Sequence, residues 1–507
     1  MTLPESQQTA DAFECSREFL FFDYFRVPHR VNSAGAGTLG SLADRFGYLR
    51  WSKPGSRFLV WAVEDSAASH AAPAAGLFLI EGIPICGAVL SDAAVEEAMA
   101  QLGGKWSEVS AVTDHARQRI SSIWRDSNGS VLLPFDPSAA IYNLWSERYQ
   151  RFLGQSLARR SRRLTTACYY LVRPLIPRSA QLALRRAFSK IQKRRDFPRW
   201  PIEPGLHDFY GWLFRTIAEL AEEPVPWLSP WPAGYSWALV LTHDVETHAG
   251  YESMDALRNI ETRLGFRSSW NLAAGRYRVA DAVVAQLLAE GFEVGVHGLY
   301  HDGRDLEGRY FARRLPTIQE HAHRWAAAGF RSPATRRIWE RMPALGFDYD
   351  SSYPDTDPFE PDPGGCCSWL PFFNDNLVEL PITLPQDHTL FVILRHTNER
   401  AWTEKADYLR ERGGMALLVT HPDYLLESNR RAAYARLLER YAHDETAWRA
   451  LPRDVSAWWR RRSATSIKRD GTDWYVSGPA ADTAQIRWAD PAAAENAATH
   501  PLTAWDR

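Results

Sequence analysis

The sequence is poor in cysteine, with five residues in a chain of 507. Cys366 and Cys367 are adjacent, the other three are isolated, and no pair has the C-x-x-C spacing of a metal or redox motif. Such a composition excludes a disulfide framework and favours a reducing compartment. The N-terminus has no basic stretch followed by an apolar one, so we expect no secretory signal and a cytoplasmic location.

Long apolar runs and an excess of one charge are lacking as well. The most apolar window, residues 72–90, contains Glu81 and two prolines and alternates like short buried strands, so we expect no membrane span. The 59 Lys and Arg residues nearly cancel the 61 Asp and Glu residues. The whole chain therefore carries no charge that would attract a polyanion such as nucleic acid.

What is present is an ordinary globular composition that changes along the chain, and the length predicts two to four domains. Residues 1–157 mix short apolar runs with Gly and Pro breaks, which predicts an α/β or mainly β domain. Residues 158–234 are predicted to form a basic helical connector that ends in a Pro-rich linker. A barrel is predicted for residues 235–460, and a short hairpin-like β tail, from DWYVSG and AQIRWA, for residues 461–507.

The connector contains a strongly basic segment, residues 159–199, in which thirteen Arg and Lys residues face one acid, Asp196. Apolar residues interleave with these charges, as in an amphipathic helix pair. Two interpretations stay open: a solvated connector whose apolar face packs on its neighbours, or a peripheral contact with an anionic membrane surface. No recognised nucleic-acid-binding module accompanies the charge, so we expect no nucleic-acid partner.

Strand and helix patterns alternate from Trp237 onward, and repeated βα units predict a parallel sheet in a closed or nearly closed (β/α) barrel. Helices are predicted at 252–265, 281–291, 309–328 and 334–346. Strands are predicted at WALVLT (237–242), RSSWNLAA (267–274), FEVGVHG (292–298), GFRSP (329–333) and MALLVTH (415–421).

Polar, metal-capable side chains follow several of these strands. In a parallel barrel such positions meet at one mouth, and four strand ends that each supply a titratable group point to a functional site. These residues are Asp244, Glu246, His297, His301, Arg331 and His421. The spacing His297-x-x-x-His301 lets two imidazoles converge on one ion, and a carboxylate from another strand would complete a catalytic divalent site, most naturally for zinc. Such a set is suited to the hydrolysis of an amide or ester.

At these residues the sequence resembles the polysaccharide deacetylase family, the NodB-homology domain of carbohydrate esterase family 4. The resemblance spans roughly residues 235–440 and lies in an ordered set of motifs. These are THDVE (242–246), GFEVGVHGLYHD (291–302), FRSPA (330–334), YDSSY (349–353), ELPITLPQDHTL (379–390) and LVTHPDYL (418–425). It implies a distorted (β/α) barrel and a divalent metal.

The resemblance implies a role for each matching residue. Asp244 matches the general base, His297 and His301 the metal ligands, Arg331 the residue that holds the base, and His421 the general acid. The family's second Asp, a metal ligand, is Val245 here, so either Glu246 takes its place or Asp244 itself binds the metal. Gly298 stands where the family has Ser or Thr.

These observations predict a metal-dependent hydrolase that removes acetyl or similar N-acyl groups from an amino sugar of a polysaccharide or its precursor. Two alternatives stay open. One is a catalytically silent barrel that binds glycan or scaffolds a partner, and the other is a hydrolase of a small non-sugar amide. Metal content separates the silent barrel from both enzymes, because a silent barrel need hold none.

Overall fold

A computed structural model describes residues 13–32, 39–53, 57–64, 74–153, 186, 187, 189, 192 and 196–490. The described parts of 1–156, 204–233 and 461–507 form one compact unit, and those of 157–203 and 234–460 form a second. The four-segment division predicted from the sequence stays a prediction.

The strands and helices are numbered along the chain. The strands are β1 Phe13–Cys15, β2 His29–Val31, β3 Phe46–Trp51, β4 Phe58–Ala62, β5 Ala74–Ile80, β6 Ile83–Val89, β7 Trp106–Thr113, β8 Arg119–Asp126, β9 Val131–Leu133, β10 Val225–Leu228, β11 Trp237–Val245, β12 Ser269–Leu272, β13 Glu293–Val296, β14 Gly329–Phe330, β15 Tyr349–Asp350, β16 Phe372–Asn374, β17 Leu377–Glu379, β18 Met415–Thr420, β19 Ala447–Arg449, β20 Ser466–Asp470, β21 Asp473–Ser477 and β22 Ile486–Ala489. The α-helices are α1 Leu20–Phe25, α2 Asp92–Leu102, α3 Pro137–Trp145, α4 Tyr149–Leu153, α5 Gly205–Ala221, α6 His248–Glu252, α7 Met254–Arg263, α8 Asp281–Ala289, α9 Gly308–Trp325, α10 Arg400–Glu411, α11 Ser428–Tyr441 and α12 Pro452–Ser463.

The first unit is built on a nine-stranded sheet in the order β2-β1-β3-β4-β9-β8-β7-β5-β6. Most of its pairs are antiparallel, which agrees with the α/β or mainly β arrangement predicted from the short apolar runs. One part of its core joins Phe46 and Tyr48 of β3 and Val60 of β4 to Val95 and Ala98 of α2. The apolar window predicted as short buried strands forms β5 and β6.

The C-terminal strands of the first unit pair differently from the predicted hairpin. DWYVS, as β21, pairs with β20, and IRWA, as β22, pairs with β10. β21 pairs with β20 because only two residues separate these strands, which suits a tight hairpin. The pairing of β22 with β10 is long-range, and the local sequence carries no signal of it.

The second unit is built on a curled, half-barrel sheet in the order β16-β17-β15-β14-β13-β12-β11-β18. Neighbouring strands of this sheet from β12 to β15 pair in parallel, and β11 is parallel to both β12 and β18. The predicted parallel arrangement is therefore confirmed. All nine residues of β11 are buried, as expected for a parallel strand covered on both faces. Beyond β17, the backbone N–H groups of Thr383 and Leu384 donate to the carbonyl of Leu417 in β18. These bonds join the segment that follows β17 to β18.

The predicted helix at 334–346 is wrong. Its place is taken by two short 3₁₀ turns, Pro333–Thr335 and Pro343–Leu345. Ala334 and Thr335 have left-handed backbones, with φ of 53° and 49°. A left-handed pair ends any helix, and Pro343 at the other end removes a backbone donor that a helix through it would need.

Most of the basic segment 159–199 lies outside the described residues. The prediction that this segment packs as helices therefore also falls outside them. Among the described residues, none of the helices combines the length and hydropathy that crossing a bilayer requires. The described cysteines Cys15, Cys86, Cys366 and Cys367 are buried and form no disulfide with one another.

Candidate active site

The carboxyl ends of the parallel strands bring the sequence-predicted residues to one mouth. Asp244 is the second-last residue of β11, and Glu246 is the first residue after that strand. Three more strands end directly before a predicted site residue: β13 before His297, β14 before Arg331 and β18 before His421. Side chains alternate along a strand, so Asp244 and Glu246 share a direction. Val245 between them is fully buried.

Glu246, His297 and His301 form a cluster of possible metal ligands. One ligand atom from each lies within 4.8 Å of the other two. Nε2 of His301 is 2.9 Å from Oε1 of Glu246, and the rings of the two histidines are 4.9 Å apart. Burial alone would raise the pKa of the Glu246 carboxyl, but hydrogen bonds from His301 and His421 hold it well below its usual range. The carboxylate is therefore ionised, as a metal ligand must be.

The His297 ring is oriented for a ligand. Its Nδ1 lies 3.0 Å from the carbonyl oxygen of Arg331, so this nitrogen carries the proton and donates it. Nε2 is buried and, in the part of the chain that the structure describes, has no hydrogen-bond partner. Burial lowers the pKa of His297 to about 4, which keeps the imidazole neutral. A neutral nitrogen with an unused lone pair, facing a carboxylate and a second imidazole, fits a divalent transition metal.

Gly298 begins the loop between the two histidines and has a left-handed backbone, with φ of +62°. A Cβ there would overlap the Asp305 carboxylate and lie 2.7 Å from the Pro333 ring. Oδ2 of Asp305 accepts a hydrogen bond from the backbone N–H of Leu299 at 3.1 Å. The Asp305 carboxylate therefore occupies the space that a side chain at position 298 would need.

We expect Gly298→Ser to lower the free energy of unfolding by about 1–3 kcal/mol, from left-handed strain together with overpacking. Guanidinium denaturation measures this change. Gly303→Ser is the matched control, because Gly303 lies in the same loop with φ of +72° but its Cβ would meet Arg336 only at 3.6 Å. Equal losses in the two variants would contradict the role given to the Asp305 contact.

Asp244 stands on the other side of His297 and is 4% exposed. Arg331 Nη1 lies 3.4 Å from its Oδ2, and Asn271 Nδ2 donates to its Oδ1 at 2.9 Å. Nε2 of His297 is 4.0 Å from Oδ2. Burial would raise the pKa of Asp244, but Arg331, His297 and the bond from Asn271 lower it below its usual value. Asn271 is a member of the site that the sequence analysis missed, since an amide in the middle of a strand carries no separate signal.

His421 faces the cluster from β18. Its Nδ1 and its backbone N–H both donate to the Asp387 carboxylate, each at 2.7 Å, while its Nε2 lies 3.4 Å from Oε1 of Glu246. Burial would lower the pKa of His421, but Asp387 and Glu246 raise it well above its usual value. The ring therefore carries a proton on Nε2, the nitrogen directed into the site. Asp387 was also missed, although it lies in PQDHT, within a segment that the resemblance covers.

Comparison with known proteins gave matches among solved structures alone. No family model and no curated protein sequence matches the chain. A putative polysaccharide deacetylase from Mycobacterium smegmatis is 18% identical and aligns with 45% of this chain and 92% of its own, with a TM-score of 0.38. A probable polysaccharide deacetylase from Pseudomonas aeruginosa PAO1 is 18% identical over 46% of this chain and 94% of its own, also at 0.38. The allantoinase Puue is 17% identical over 46% and 93%, at 0.37.

Proposed function

We propose that residues 235–460 form a metal-dependent hydrolase that removes an N-acyl group, acetyl in the simplest case, from an amino sugar of a polysaccharide or its precursor. The observation that carries the proposal is the convergence of Glu246, His297 and His301 within 4.8 Å, from the ends of two strands. A carboxylate and a protonated imidazole flank this cluster, which is the minimum that amide hydrolysis needs.

Glu246, His297 and His301 would hold the metal. A zinc ion held there would supply a Lewis acid that polarises the substrate carbonyl and activates water. The sequence left open whether Glu246 or Asp244 is the carboxylate ligand. Glu246 is the better candidate, because its Oε1 is 2.9 Å from His301 Nε2. Asp244 is instead bound by Arg331 and Asn271.

The remaining residues move protons. Asp244, held ionised by Arg331, accepts the proton of the attacking water as oxygen bonds to the carbonyl carbon. The carbon–nitrogen bond then breaks, and Nε2 of His421 gives its proton to the leaving nitrogen. The products are a free carboxylic acid and an amine. Asp387 holds the His421 ring and keeps it protonated through the bond to Nδ1.

An amino sugar is the proposed substrate because the ordered motifs resemble those of deacetylases. The aromatic residues near the mouth support this choice. The Tyr424 ring lies 5.0 Å from the His421 ring, and Tyr300, in the loop of His301, is 50% exposed. Of these two rings only that of Tyr300 is exposed, and an exposed aromatic face beside a polar site suits the apolar face of a sugar ring; Tyr424 is half-buried between His388 and His421.

Metal analysis of the purified protein, with acetate release from N-acetylglucosamine oligomers, tests the proposal. We expect about one equivalent of divalent metal and measurable acetate release, both lost in His297→Ala. The matched control is His248→Ala, since His248 is an exposed histidine of α6 whose imidazole pairs with Glu252 of the same helix. That variant should keep both properties.

The outcomes distinguish the alternatives. Wild-type protein without metal would contradict the proposal and favour the silent glycan-binding or scaffolding barrel. Protein that holds metal and cleaves a small cyclic amide but no acetylated sugar would favour the non-sugar amide hydrolase. The cytoplasmic location and the membrane contact through 159–199 remain predictions.

A further inference from the structure

Arg314, in the middle of α9, lies against the loop that carries His301. It is 9% exposed. Its Nη1 and Nη2 donate to the two carboxylate oxygens of Asp302, at 2.6 and 2.7 Å, and Nη1 also donates to Oδ1 of Asp305 at 2.9 Å. A bidentate arginine–carboxylate pair fixes both distance and orientation, which a single charge contact does not.

Both carboxylates bind the backbone of the same loop in turn. Asp305 accepts from the N–H of Leu299 at 3.1 Å, and Asp302 accepts from the N–H of Arg304 at 3.1 Å. One guanidinium therefore ties together positions on both sides of His301. Without it, the Asp305 carboxylate, which is 1% exposed, would remain buried without a cation, and that is strongly unfavourable.

His301 needs such support. Its backbone is left-handed, with φ of +54°. That conformation is unfavourable for a non-glycine residue and persists only where the surroundings impose it. Its neighbour in the chain, Asp302, is the residue that Arg314 holds in the bidentate pair. The network therefore restrains the backbone from which the His301 imidazole projects towards Glu246.

We propose that Arg314 is a positioning residue for the candidate metal centre, which sets the loop 298–305 so that His301 stands at the ligand position before any metal binds. This inference rests on the metal site of the proposed function. Restraint of a ligand before binding raises metal affinity, because less conformational freedom is lost when the metal binds.

Two variants and one control test the role. Arg314→Met removes both ion pairs at similar length, and Arg314→Lys keeps the charge but loses the planar fork. Arg324→Met is the control, because Arg324 lies on the same helix and pairs with exposed Asp281 at 2.7 Å. Hydrogen exchange of metal-free protein is measured at the amides of Leu299 and Arg304, and zinc affinity is measured by competition with a chromophoric chelator.

We expect faster exchange at those two amides in Arg314→Met, and zinc affinity about 10- to 100-fold weaker than in the wild type. Arg314→Lys should recover part of the loss, and Arg324→Met should match the wild type. If Arg314→Met does not fold, Asp302→Asn carries the same test, since Asp302 is 34% exposed and the variant removes one carboxylate alone.

Three results would overturn the inference. Unchanged zinc affinity in folded Arg314→Met leaves the metal site standing and removes the positioning role. Faster exchange spread evenly over the whole unit assigns Arg314 to general stability. Wild-type protein that binds no zinc overturns the metal site and the positioning role together.

Discussion

Asp244→Asn is expected to lower the rate of acetate release by about two to four orders of magnitude, the range for losing one acid–base group. The amide has nearly the same shape as the carboxylate but does not accept a proton from water. Asn271 donates to Oδ1 of Asp244, and that bond survives if the amide oxygen of the variant takes this position. Steady-state kinetics on acetylated amino-sugar oligomers measures the loss.

Metal content decides what the Asp244 result means. A variant that keeps its metal and loses turnover supports Asp244 as the base, whereas a variant that loses metal would reassign Asp244 as a ligand. Asp281→Asn is the control for the change of charge, because Asp281 is exposed and pairs with Arg324 on the outside of the same unit. Its turnover and metal content should equal those of the wild type.

His421→Ala is expected to produce a loss of similar size while leaving metal bound. The tetrahedral intermediate expels an amine only after its nitrogen is protonated, and the proton on Nε2 of His421 is available for that step. Single-turnover and steady-state rates, with metal analysis on the same samples, test this. A His421→Ala protein that deacetylates at the wild-type rate would refute the assignment.

Asp387→Asn separates the two contributions of the His421 environment. The variant keeps an acceptor for Nδ1 but removes the negative charge that raises the pKa of the ring. We expect a smaller fall in rate than with His421→Ala, again with metal retained. A fall equal to that of His421→Ala would mean that Asp387 takes part in the chemistry directly.

The sequence alone predicted the parallel βα arrangement, which the structure confirms, and it proposed six residues for a site at the ends of the strands. Their positions follow from a local rule: a buried apolar strand ends, and a polar side chain comes next. Because parallel strands all end at one edge of their sheet, four separate strand ends predict one cluster. Glu246, His297 and His301 lie within 4.8 Å of one another for this reason.

The tertiary structure alone decided which partners set the chemistry of that cluster. Asn271, Asp387 and Arg314 act through side-chain contacts between residues 9 to 34 positions apart in the chain. The same limit explains the unexpected pairing of β22 with β10, whereas the wrong helix at 334–346 has local causes, the left-handed pair at Ala334 and Thr335 and the proline at 343. Periodicity and spacing report on a local stretch of chain, whereas the pKa of a buried group depends on which distant charges folding brings within a few ångströms of it.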